Sequence, residues 1–127
     1  MDETMRALYA FFESFGLPAY PEGQVPAYGA DGQPTAPPYI TVQLVEPDWR
    51  AAAPMYAEVW YRSTSFEGIN RTVKAIKEAI GEGLSLETDS GYVWLFKGDT
   101  FCQYRSFPGD PDLKCAYLNL IIHALTE

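Results

Sequence analysis

The chain has 127 residues, 47% apolar and 20% charged, with a formal charge of −8 and a pI near 4.5. This length suits one compact domain over 1–127 that buries a core of its own, and the acidic balance opposes any simple phosphate-neutralising mode of nucleic-acid binding. Three Trp, nine Tyr and seven Phe make 15% of the chain, too many for a disordered acidic tail and more than a small core needs, so some of them are expected to face a partner.

Residues 2–15 repeat apolar side chains at three and four positions (Met5, Leu8, Tyr9, Phe12, Phe15) behind Asp2 and Glu3, which predicts an amphipathic helix. Gly16 offers a left-handed stop, Leu17 packs back, and Pro18 forbids continuation. Residues 18–38 then hold six prolines and three glycines, a composition that predicts a long Pro/Gly-rich loop without strand or helix interior. YITVQLVE (39–46) alternates as a half-buried strand, and EPDWRAAAP breaks it. MYAEVWYR (55–62) places Met55, Ala57, Val59 and Tyr61 on one face and Tyr56, Glu58, Trp60 and Arg62 on the other, antiparallel to its predecessor.

Thr64 stands three residues before Glu67 in the spacing of a capping box, and Phe66, Ile69, Val73, Ile76 and Ile80 follow at helical period up to Gly81. Arg71, Lys74 and Lys77 on the outer side, with Glu67 and Glu78 near, read as a solvated face. LSLE and GYVWLFK form a hairpin with Tyr92, Trp94 and Phe96 on one side and Val93 and Leu95 on the other, both sides covered. Residues 97–114 are irregular, with TFCQYRSF a short extended piece and PGDPD a turn. Ala116, Leu118, Leu120, Ile122 and Ala124 form one face of a closing strand. The expectation is an α+β fold: a mainly antiparallel sheet of four to five strands with two helices packed on one face.

The chain shows no catalytic constellation. His123 alternates along a strand without a Ser/His/Asp set around it, Ser63, Thr64 and Ser65 serve helix capping, and Asp110 and Asp112 are turn residues before they are metal ligands or an acid–base pair. No metal, cofactor or enzymatic activity is expected. Cys102 and Cys115 lack any CxxC or Cys/His neighbour, and neither a signal peptide nor a long apolar span is visible, so the reading is a cytosolic chain with reduced thiols and no membrane contact. The aromatic surplus instead marks Tyr56, Trp60, Arg62, Tyr92 and Trp94 as candidate subunit or partner contacts.

RALYAFFESFGLPAY, PPYITVQLVE, EVWYRSTSFEGIN, GYVWLFKGDTFCQ and LNLIIHAL, in that order, resemble the small tail terminator or tail-completion proteins of long-tailed phages and prophages. The most specific piece is PYIT followed some twenty residues later by WYRSTS. The resemblance implies an α+β domain that assembles as a homo-oligomeric ring, typically hexameric, on the head-proximal end of the tail tube. There it stops tube polymerisation and provides the head–tail joining surface. It also implies tail tube protein and head connector proteins as partners, and location in the virion tail after assembly in the host cytoplasm. A head-side adaptor or stopper, and a small-molecule binder lined by Tyr56, Trp60 and Tyr92, are the alternative functions.

Overall fold

The computed structural model describes residues 2–48 and 51–125. Helix α1 (Glu3–Glu13) begins where the Asp2 carboxylate accepts the backbone N–H of Met5 at 2.9 Å, an N-cap that satisfies one of the helix's free donors. Gly16, at φ 86°, takes the left-handed conformation that ends it. Helix α2 (Glu67–Ile80) starts differently from the capping-box expectation. Ser63 Oγ accepts the N–H of Ser65 at 3.1 Å and Ser65 Oγ that of Glu67 at 3.0 Å, so two hydroxyl turns lead into the helix and Thr64 takes no part.

Six strands follow the order β1-β2-β3-β6-β5-β4 in one curled sheet. They are β1 (Ala19–Pro21), β2 (Tyr39–Val42), β3 (Ala52–Arg62), β4 (Leu84–Glu87), β5 (Tyr92–Ser106) and β6 (Leu113–Leu125). The expected four-to-five-stranded, mainly antiparallel sheet is therefore corrected to a six-stranded mixed half-barrel. The added strand is β1, which pairs parallel to β2 from within the stretch expected to be loop, with Ile40 N–H donating to Pro18 O at 2.9 Å. Three residues ending in Pro21 are too short to show alternation, and proline is tolerated there because β1 lies at the sheet edge. The parallel pairing follows from the long return through residues 22–38, where a tight hairpin would have made it antiparallel.

β3 also starts earlier than expected, at Ala52, inside the presumed break; Trp49 and Arg50 of that break lie outside the described residues. Pro54 fits because β2 accompanies β3 only opposite Ala57 to Trp60, leaving Pro54 on a locally open edge. The piece TFCQYRSF belongs to β5 up to Ser106, and the pairing of β5 with β6 jumps from Lys97↔Leu120 to Cys102↔Leu118. The intervening residues bulge out of the ladder. At Gly98 an added Cβ would lie 3.2 Å from the carbonyl carbon and oxygen of Asn119, so the bulge depends on the missing side chain.

Both helices feed one core. Met5, Leu8 and Phe12 of α1 and Ile69, Val73, Ile76 and Ile80 of α2 pack with Ile40, Val59, Leu95, Leu118 and Ile122 of the sheet. The opposite sheet face carries Tyr56, Trp60, Tyr117 and Trp94 and is covered by neither helix. Truncating fully buried Leu118 to alanine is expected to lower unfolding free energy by about 2–5 kcal/mol. Gly98→Ala is expected to cost about 1–3 kcal/mol, because the Asn119 backbone cannot retreat as a side chain can. Urea unfolding midpoints check both, and a silent Gly98→Ala would contradict the close approach.

Candidate interaction face

The eleven-residue register of β3 on β6 decides what this face presents. Because side chains alternate, Tyr56, Glu58 and Trp60 point away from the helices together with Cys115, Tyr117 and Asn119, and Arg105 joins them from β5. Glu58 is buried at the centre, only 7% exposed. Its carboxylate takes the Arg105 guanidinium at 3.4 Å, the Thr41 hydroxyl at 3.5 Å and the Cys115 thiol at 3.7 Å. Thr41 in turn accepts Trp60 Nε1–H at 3.1 Å, so the carboxylate orients a hydroxyl that orients an indole.

Aromatic rings cover this polar centre. Tyr56 stacks on Tyr117 at 4.8 Å, Arg105 lies 4.4 Å over the Tyr117 ring, and Trp60 stacks on Phe107 at 5.8 Å. Tyr56 donates its hydroxyl to Glu22, tying the start of the long loop to the face. That hydrogen bond, aided by burial and by the Glu22 charge, pushes the Tyr56 phenol up to about 12. Burial, with the Glu58 charge second, pushes the Cys115 thiol up to about 12, which makes it unreactive. Arg62 closes the end of the face at 2.8 Å from Asp110, whose carboxyl it holds below its ordinary value. Asp110 is thus a turn residue with an ion-pair partner, and among the described residues no group of three or more His, Cys, Asp or Glu gathers as a metal site.

The candidate residues do not form one cluster. Tyr56, Trp60 and Arg62 lie together, whereas Trp94 sits in the row of His123 and Ala52 and Tyr92 in the row of Leu125. Trp60 and Tyr92 are ten positions apart along β6 (Cys115 against Leu125), up to about 33 Å at 3.3 Å per residue, so Tyr56, Trp60 and Tyr92 cannot line one pocket. Tyr92 and Trp94 are also not covered, as the hairpin expectation had them: they stand 47% and 45% exposed, while Val93 and Leu95 on the other side are buried. His123 meets the Phe96 ring edge-on at 5.7 Å.

Arg105, Tyr117 and Phe107 escaped the sequence reading. Alternation about the apolar set Ala116, Leu118 and Leu120 places Tyr117 on the outer face, but Arg105 and Phe107 follow a bulge that no local pattern announces. Such a wall of aromatics around a paired charge is suited to contact with another protein surface. Scans against protein-family models and a search of curated proteins find no match for the chain. Among the described residues, no helix is long and apolar enough to cross a membrane.

Two measurements check this geometry. In an alkaline phenolate titration, Tyr56→Phe is expected to remove one of the late-ionising tyrosines. Since the folded state holds the Tyr56 proton more tightly than the unfolded state, its contribution to stability is full below pH about 10 and is lost as pH rises through about 12. In the native protein a thiol reagent is expected to reach Cys102 only, because Cys115 is fully buried, and rapid labelling of both thiols would contradict the site.

Proposed function

We propose that this chain is a non-enzymatic structural protein of a long-tailed phage or prophage tail. It forms a homo-oligomeric ring, of the hexameric kind the family resemblance implies, on the head-proximal end of the tail tube, where it ends tube growth and joins the head. The observation that carries this reading is the helix-free sheet face, where exposed Tyr92 and Trp94 extend a surface that already holds Tyr56, Trp60 and Arg62. Monomeric soluble proteins rarely leave a large aromatic surface open, and a ring needs such a heterologous surface on every subunit. The outermost strands are short, three residues in β1 and four in β4, and offer little edge of their own for open-ended sheet pairing.

The head-side adaptor or stopper is the second reading, because the same face fits either neighbour. Binding to purified tail tubes rather than to the portal–adaptor complex separates the two.

Trp94→Asp is the informative variant, since Trp94 is exposed and its replacement leaves the core intact. The folded variant is expected to lose tube capping, giving overlong tubes by electron microscopy. Trp60→Asp is expected to do the same, with circular dichroism confirming its fold because Trp60 is also held by Thr41 and Phe107. Tubes of normal length with both variants would sink the proposal.

A further inference from the structure

On its helix side the molecule has a second unfilled feature. α2 and the bulged part of β5 enclose an open groove of about 740 Å³. Val73 and Phe101 give it an apolar floor, and Lys74, Lys77 and Lys97 line it with Glu78 as the single carboxylate. In a chain of net charge −8, this reverses the local sign. None of the three lysines forms an ion pair among the described residues. One wall is a strand edge: β4 accompanies β5 only from Tyr92 to Leu95, so beyond Lys97 the outer side of β5 has no strand beside it among the described residues. Apolar floor, basic lining and open edge together fit an extended acidic peptide bearing a large apolar side chain.

The chain carries such a segment. Beyond β2, residues 43–48 read QLVEPD, with Leu44, Glu46 and Asp48 facing outward and Leu44 51% exposed. Gln43 is tied to Tyr56 by two hydrogen bonds and Val45 turns inward to the core, while Leu44, Val45 and Glu46 make no hydrogen bond among the described residues. Six extended residues span roughly 20 Å. The α2 wall from Asn70 to Gly81 spans roughly 16 Å at 1.5 Å per residue, a close match. β3 and β6 separate β2 from β5, so the segment reaches the groove of another copy and not its own.

We propose that the α2–β5 groove takes residues 43–48 of a second copy. Leu44 seats on Val73 and Phe101, and Glu46 and Asp48 meet Lys74, Lys77 and Lys97. The contact is head-to-tail, the kind that closes a ring, and in that respect it rests on the ring reading above.

A capped, fluorescently labelled peptide of residues 43–48, titrated into the full chain, provides the test. Saturable binding is expected below about 1 mM. It is expected to weaken at least about tenfold in Lys74→Glu/Lys77→Glu and with a peptide carrying Glu46→Lys/Asp48→Lys, and to return when the two reversals are combined. The lysines are exposed on a helix, so the reversals leave the fold intact. No binding to the wild-type chain, or binding indifferent to the groove reversal, overturns the proposal. Equal binding of an acidic peptide lacking the leucine overturns the assigned occupant in favour of a generic acidic partner. Tube capping is scored separately: peptide binding without capping refutes the tail reading and keeps the groove contact, and capping without peptide binding does the opposite.

Discussion

β3 and β6 pair over eleven residues without a bulge, and nearly everything else in the molecule follows from that register. With a side-chain period of two, it sends Met55, Ala57, Val59, Leu118 and Leu120 under the helices and Tyr56, Glu58, Trp60 and Tyr117 to the other side. A one-residue slip of β3 against β6 would turn Glu58 toward the core and expose Met55, Ala57 and Val59. The pairing of buried Glu58 with the exposed Arg105 reinforces the choice, because a carboxylate this enclosed is tolerable only where its partners reach it. Arg105 can reach it only because the bulge inverts the parity of β5: odd-numbered positions, inward at Val93 and Leu95, face outward once Cys102 pairs with Leu118.

The two faces solve different problems. The helix side is closed by aliphatic packing, in which the hydrophobic term dominates and shape complementarity fixes one arrangement. The opposite side is ordered by hydrogen bonds and ring stacking that hold large side chains in place without covering them: Thr41 orients Trp60, Tyr117 supports Tyr56, and Arg105 lies over Tyr117. Side chains fixed before contact lose less conformational entropy on binding, so the partner proposed for this face would meet a preorganised surface.

Much of this was legible in the sequence. Helical periodicity marked both helices, and alternation sorted Met55 to Arg62 and Ala116 to Ala124 correctly between faces. What escaped is non-local. The three residues of β1 acquire strand character only from β2 beside them, Pro54 is acceptable only because β2 has already ended, and the β5 bulge depends on Gly98 meeting the Asn119 backbone. The same limit applied to the candidate face: the residue types drew Tyr56, Trp60, Arg62, Tyr92 and Trp94 together, but only the register shows that they occupy two ends of one surface.

The central claim is that this surface is where the protein joins its neighbours, and hydroxyl-radical footprinting of the chain, free and bound to tail tubes, tests it most directly. Oxidation of Tyr92 and Trp94 should fall several-fold on binding, while Tyr28, far out on the long loop at 65% exposure, serves as an internal reference. Unchanged oxidation of Tyr92 and Trp94 on capped tubes would contradict the account, since the tubes would then be held by some other part of the molecule.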